Sequence, residues 1–333
     1  PAYYTFIINE GCDVNFINYF LQSNYLRRTF FKLGKGVASH DNFGRWVLTP
    51  EELKNITIYL PNLKKQKIIS EYLDNKSNNI ELLIESTKKK IELLKEQRIS
   101  MIRSYITKGL DSNVEMKYSG LDWIGNIPKH WEIKKITYVT TSIGSGTTPK
   151  SDNLDYYQNG TINWLVTGDL NNKEIFETSN KITKKALSDY STLKVYPKES
   201  LMIAMYGGTI GKLGILKIES SVNQATCVLS FNKNQDVKFW FNTFLSHQKY
   251  IVSLGYGGGQ PNISQDVIKN LRFPVPPTLD EQQKIVLKIN QKLLKHDDLI
   301  QKEFQLLDLY KEYRLTLLSS VITGKFQVTE DML

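Results

Sequence analysis

From residue 64 to residue 108 one set of positions recurs in alternating steps of four and three: Ile80, Ile84, Thr87, Ile91, Leu94, Arg98, Met101 and Tyr105. That spacing predicts a single long helix, 64–108, with one stripe turned toward a partner helix. Between the stripe positions lie Lys88, Lys89, Lys90, Glu92, Lys95 and Glu96, a solvated face. Gly109 follows the basic Lys108, as expected where a helix stops. A second such segment, 279–323, has Val286, Ile289, Leu293, Ile300, Phe304, Leu307, Leu317 and Val321 as its apolar set. Pro274, Pro276 and Pro277 precede it, Thr278 or Asp280 can cap it with Gln282 or Gln283 behind, and Gly324 closes it. At about 1.5 Å per residue each helix spans on the order of 60 Å. A lone stripe on a helix that long needs covering, and the simplest cover is the other helix, packed antiparallel as a coiled coil.

Residues 130–275 follow a different pattern, with short β-rich runs between turns. Strands are expected at Thr161–Val166, Ser200–Met205, Leu213–Lys217 and Thr226–Phe231, and helices at Phe239–Tyr250 and Ser264–Asn270. This is an α/β globular domain within an α+β chain.

Laid against itself, the chain repeats. Leu53–Pro61, then Gln66-Lys67-Ile68, matches Ile268–Pro276, then Gln283-Lys284-Ile285, at an offset of about 215 residues. Downstream, Ile84 pairs with Ile300, Ile91 with Leu307, Arg98 with Arg314, and Ser104–Thr107 with Ser320–Thr323. Upstream, Asp13–Phe16 faces Asp236–Phe239, Phe20-Leu21 faces Phe244-Leu245, and Leu33–Gly36 faces Leu254–Gly257. Ordered blocks of this kind describe a duplicated unit of globular domain plus helix. That both long helices belong to the same repeat argues against two unrelated core helices. Pro1 aligns near Gln224, so the first copy lacks a counterpart of roughly residues 120–223, and residues 1–63 read as the end of a sibling domain. A further partial domain is expected N-terminal to Pro1.

Composition narrows the class. Hydrophobic residues at 41% and charged residues at 23% exclude disordered, collagen-like and low-complexity chains. No uncharged apolar run is long enough for a membrane span, and the first residues do not form a signal peptide. Cys12 and Cys227 are too few for a disulfide framework or a zinc site, so a cytoplasmic location is expected. Lys and Arg number 43 against 34 Asp and Glu, a net +9 that suits a polyanionic partner such as nucleic acid.

Catalytic patterns are missing. Gly207–Leu213 is one residue short of a phosphate-binding loop and ends in Leu213 where a Ser or Thr would hold magnesium. Gly144-Ser145-Gly146 lacks the third glycine of a dinucleotide fingerprint. His40, His130, His247 and His296 show no metal-ligand spacing, and the carboxylates form no paired acid motif. The chain is therefore read as no enzyme, with neither a metal nor a cofactor of its own.

Loop chemistry suits DNA instead. Gly144–Ser151 offers Thr147, Thr148 and Lys150, hydroxyls and a cation of the kind used on phosphates. Tyr206–Lys212 sets Tyr206, Thr209 and Lys212 around flexible glycines. Gly257–Asn262 places Gln260 and Asn262, amides able to bond an adenine edge, on a Gly-rich loop. In the first copy the corresponding candidates are Lys35, Ser39, His40 and Arg45.

These residues resemble the specificity (S) subunits of type I restriction-modification systems. The resembling blocks are Gly125–Trp131, Ser145–Pro149, Trp164–Leu170, Gln224-Ala225, Pro274–Pro277 with Glu281–Ile285, and Leu317–Lys325. The resemblance implies target recognition domains, each reading one half of a split, asymmetric site on double-stranded DNA. It implies five segments. Residues 1–63 would be the C-terminal part of the first recognition domain and 64–110 a central helix. Residues 111–278 would be the second recognition domain, 279–325 a C-terminal helix and 326–333 a tail. The helix pair would set the gap between half-sites, near a whole turn of about 34 Å. It would also dock two methylation subunits carrying S-adenosylmethionine, with restriction motor-nuclease subunits completing the complex. The alternative from the residues alone is a coiled-coil structural adaptor whose globular domains bind proteins.

Overall fold

The structure is a computed structural model and describes residues 5, 7–33, 49–257 and 262–333. Helices α1 (Val14–Gln22), α2 (Asn24–Leu33) and α3 (Pro50–Lys54) lead into the long α4 (Leu63–Lys108). Strands β1 (Met116–Tyr118), β2 (Asn126–Pro128) and β3 (Glu132–Lys135) follow, then α5 (Ile136–Val139), β4 (Thr140–Gly144), β5 (Ile162–Leu165), β6 (Lys173–Ile175) and β7 (Asn180–Ile182). Next come α6 (Lys184–Asp189), β8 (Leu201–Ala204), β9 (Leu213–Leu216), β10 (Ser221–Val222) and β11 (Thr226–Phe231). The chain closes with α7 (Val237–Ser246), α8 (Gln248–Ser253), α9 (Gln265–Asn270), β12 (Arg272–Val275) and α10 (Leu279–Ile322). Two compact units result, one of Pro1–Leu94 with Asp298–Leu333, the other of Lys95–Asp297.

In the first unit, the stripe of α4 (Ile80, Ile84, Ile91) shares a core with Leu307, Leu317 and Val321 of α10. Phe16 and Phe20 of α1 and Leu26 of α2 join it. The ion pairs Arg314–Glu81 (3.3 Å) and Lys90–Glu303 (2.6 Å) run in opposite senses along the two helices, which are antiparallel as expected.

In the second unit the core is built on a five-stranded sheet in the order β4-β11-β8-β9-β6, antiparallel except for the β9–β6 edge. A smaller sheet, β10-β5-β7, sits beside its own cluster of Trp164, Ile182, Ala186 and Leu193. Trp131, Phe239, Trp240, Phe244 and Phe273 fill the main core together with Ile102 and Ile106 of α4 and Ile285, Ile289 and Leu293 of α10. The start of α10 is fastened to the Gly125–Trp131 segment. The indole Nε1 of Trp131 donates to Glu281 Oε1 at 2.8 Å, and His130 Nε2 lies 3.0 Å from the same oxygen.

The duplication is visible as repeated bonds. Asp13 caps α1 by accepting from Phe16 N (2.8 Å), and its own N–H donates to Gln66 Oε1 (2.8 Å). Asp236 caps α7 by accepting from Phe239 N (2.9 Å) and donates to Gln282 Oε1 (2.9 Å). Gln66 thus corresponds to Gln282, which shifts that sequence block by one residue from the expected Gln283. Arg98 and Arg314, paired by the repeat, each face an acid from the other long helix. Arg98 Nε meets Asp297 at 2.7 Å, and Arg314 meets Glu81.

Three local readings need correction. Past Leu94 the buried face of α4 moves: Ile102 and Ile106 are fully buried, while Arg98, Met101 and Tyr105 are only partly covered. The globular core covers this end of the helix as well as α10, so the buried sector is wider than one stripe. Phe304 is 38% exposed and lies outside the seam's core. The helix expected at Phe239–Tyr250 breaks into α7 and α8 at His247, whose backbone leaves helical geometry. Of the two capping candidates, Thr278 caps α10, its hydroxyl accepting from Glu281 N at 3.2 Å; Asp280 pairs with Lys284.

His247 is buried against Trp123 and Phe273, with Nδ1 2.8 Å from Thr243 O. Burial holds its pKa down to about 4, against the ordinary 6.5. The unfolded chain therefore binds the proton more tightly, and stability present above pH 6.5 is lost as pH falls toward 4. Urea unfolding of the wild type should lose on the order of 3 kcal/mol over that range from this one group, and His247→Gln should show a shallower acid slope. At neutral pH, Ile102→Ala should cost about 2–5 kcal/mol, whereas Leu82→Ala, exposed on α4, should stay within about 0.5 kcal/mol.

Candidate nucleic-acid interface

The loop after β4 is clamped from both sides. Gly146 passes so close to the turn after β10 that a Cβ would stand 1.7 Å from Val222 O, and its N–H donates to Asn223 O at 3.3 Å. Gly144 is held under Tyr196, whose hydroxyl donates to Ser145 O at 2.9 Å. Burial raises the Tyr196 pKa to about 12, so that hydroxyl stays protonated. Gln265 of α9 donates to Ser145 Oγ at 2.7 Å. From the smaller sheet side, Trp164 Nε1 donates to Thr147 O (3.3 Å) and Tyr157 donates to Pro149 O (2.5 Å). The Lys150 N–H donates to Tyr190 (3.1 Å). These bonds hold the loop's backbone in place, and Thr148 and Lys150 are exposed to solvent.

The second loop is a tight turn between β8 and β9. Gly207 and Gly211 adopt left-handed φ values of 78° and 77°. At Gly211 a Cβ would also strike Val252 at 2.5 Å, and Gln248 of α8 donates to Gly211 O at 2.7 Å. Tyr206 and Asn262 form an isolated β-bridge, Asn262 bridges Tyr256 as well, and Ile263 N donates to Met205 O at 2.8 Å. The third loop's exit is thereby laid against the second loop's entry.

Gln224, at the turn between β10 and β11, ties these pieces together. Its Oε1 accepts a hydrogen bond from the Thr148 hydroxyl, and its side chain lies beside the Tyr206 hydroxyl. Burial raises the Tyr206 pKa, and the neighbouring Gln224 amide opposes that rise. Thr148, Tyr206 and Asn262, expected from separate loops, are thus brought together with Thr147 and Lys150 on the same clamped segment. Thr209 and Lys212 share the turn with Tyr206, but among the described residues no side-chain hydrogen bond joins them to the cluster. Gln260, Lys35, Ser39, His40 and Arg45 lie outside the described residues. Gln224 was not among the expected contacts, although Gln224-Ala225 is one of the resembling blocks. A solitary amide beside no glycine run carries no loop signal of its own.

Among the described residues there is no group of three or more His, Cys, Asp or Glu placed to hold a metal, and no helix long and apolar enough to cross a membrane.

This helix-paired α+β architecture is shared with solved chains of type I restriction-modification assemblies. One, from a structure describing complex assembly and conformational transition of the type I R-M system, superposes with a TM-score of 0.67 at 12% identity, covering 95% of this chain and 73% of the other. The HsdS subunit of Thermoanaerobacter tengcongensis superposes at 0.51 and 13% identity, covering 95% and 72%. At the sequence level, the chain is 29% identical over 285 residues to the type I restriction enzyme MjaVIII specificity subunit of Methanocaldococcus jannaschii, covering 83% of this chain and 63% of that one. It is 25% identical over 304 residues to the EcoBI specificity subunit of Escherichia coli, covering 85% and 62%. The chain therefore spans about three fifths of the length of these relatives. The family described as type I restriction modification DNA specificity domain matches residues 2–93 and 128–307, and the chain belongs to it.

Gly146→Ala tests the clamp. The new methyl group must displace either the loop or the turn carrying Val222. Duplex DNA binding measured by fluorescence anisotropy should fall more than about tenfold, as expected when positioned contacts are lost, with circular dichroism unchanged; undiminished binding would contradict this placement of the loop.

Proposed function

We propose that the chain is the non-catalytic sequence-reading subunit of a type I restriction-modification complex, acting on double-stranded DNA in the cytoplasm. It reads a bipartite, asymmetric site and docks two methylation subunits and the restriction motor-nuclease subunits. S-adenosylmethionine and the adenine chemistry belong to the methylation subunits. Residues 111–278 serve as the second target recognition domain and 1–63 as the C-terminal part of the first. Segments 64–110 and 279–325 are the helices whose shared seam sets the interval between half-sites, and 326–333 is a tail.

The observation that carries this reading is the family match across both copies of the repeat. The loop cluster is its physical counterpart. Hydroxyls, amides and a lysine are displayed from a backbone held in place by Tyr157, Trp164 and Tyr190, so that DNA contacts cost little further ordering. In this division of labour Lys150 and Lys212 meet phosphates, as do Thr147 and Thr209 through their hydroxyls, while Thr148 and Tyr206 belong to the DNA-facing cluster around them. Gln260 and Asn262 face base edges, and Lys35, Ser39, His40 and Arg45 serve the first domain.

The test is binding of labelled duplex by the chain assembled with its methylation subunits, across a salt series. Affinity should fall steeply with salt. Lys150→Ala and Lys212→Ala should each weaken binding to all sequences alike and reduce the salt slope by about one, whereas Asn262→Ala should relax preference at one base pair. Salt-independent binding, or none, would overturn the reading.

A further inference from the structure

An amide side chain has four hydrogen-bonding positions, two N–H donors and two lone pairs on oxygen. Within the protein the Gln224 oxygen takes the Thr148 hydroxyl, and the amide lies beside the Tyr206 hydroxyl. At least one N–H and one lone pair remain side by side on a side chain that is solvent-exposed. That residual pair is the complement of an adenine's major-groove edge, which offers an N6 donor beside an N7 acceptor.

The support beneath Gln224 is rigid on both flanks. Asn223 donates its N–H to Leu165 O at 3.0 Å and accepts Gly146 N, and its side-chain oxygen accepts from Thr226 Oγ1 at 2.9 Å. Ala225 O accepts from Met205 N at 2.8 Å. A glutamine normally loses much rotamer freedom on binding; here the Thr148 hydroxyl already restrains the amide.

We propose that Gln224 reads one adenine in the half-site of the second recognition domain, with Thr148 and Tyr206 as positioning residues that hold its amide in register. This rests on the DNA-reading role above and gives that role a residue. The assignment also divides labour within the cluster. Thr148 acts through Gln224, so its loss should relax the same base position that Gln224 specifies.

The experiment is selection of a randomised duplex pool by the full chain assembled with its methylation subunits, followed by sequencing. The wild type should enrich a split motif. Gln224→Ala should yield the same motif with one former adenine position degenerate, preference there falling about tenfold or more, a range expected for loss of a bidentate base contact. Gln224→Glu exchanges the free N–H for an acceptor and should move that position from adenine toward cytosine. Thr148→Val and Tyr206→Phe should blunt preference at that position and no other, which keeps the proposal testable should a Gln224 variant fold poorly. A wild-type motif left unchanged by Gln224→Ala in a protein with the wild-type melting temperature overturns the assignment alone. A wild type that enriches no motif overturns the recognition role and the assignment together.

Discussion

Neither long helix can stand alone. Each carries an apolar face beside a surface of mostly polar residues with scattered exposed leucines, so its helical state depends on burying that face against the other helix and the globular core. The seam meets this requirement within each unit. Ile80, Ile84 and Ile91 lie with Leu307, Leu317 and Val321 in one, and Ile102 and Ile106 with Ile285, Ile289 and Leu293 in the other. The globular parts complete the burial. α1 and α2 close over the first unit's core, and the five-stranded sheet with α7 closes over the second. The ion pairs flanking the seam are partly open to solvent, so they set register more than they add stability.

Duplication explains why the same few bonds recur. An aspartate caps the helix that follows it and gives its own N–H to a glutamine on the first turns of a long helix, in Asp13–Gln66 and again in Asp236–Gln282. The far ends of the long helices touch the same feature in each unit. Arg103 of α4 donates to Ser246 O at 2.6 Å where α7 ends, and Ser319 of α10 accepts from Asn24 N at 3.1 Å just past the end of α1. These contacts tie each globular element to both helices by directional bonds, and an apolar interface alone would not fix the register so narrowly.

Much of this was legible in the residues. The long helices, their antiparallel seam and the core strands follow from periodicity, because binary pattern dominates where one face alone is buried. Thr226–Phe231 is a strand over the expected residues, and Ile162–Leu165 lies within the expected run. The pattern misled where a second body covers the helix. At Ile102 and Ile106 the globular core widens the buried sector, which no single-stripe reading anticipates. The break at His247 was also hidden, since no glycine or proline within Phe239–Tyr250 marks it. In the loops, glycines sit at close approaches, Gly146 against the Val222 backbone and Gly211, expected to be flexible, against the Val252 side chain. What glycine spacing could not show is which side chains meet. The bonds from Tyr157, Trp164, Tyr190 and Tyr196 to the Gly144–Lys150 backbone, and the bridging role of Gln224, arise from chain segments far apart in sequence.

In the proposed function this chain dictates which DNA sequence its complex acts upon. The most direct measurement is the genome-wide adenine-methylation pattern of cells carrying the methylation subunits, with this chain present or deleted. A split, asymmetric motif that appears only with the chain is the predicted result. Identical methylation patterns in the two strains would contradict the account.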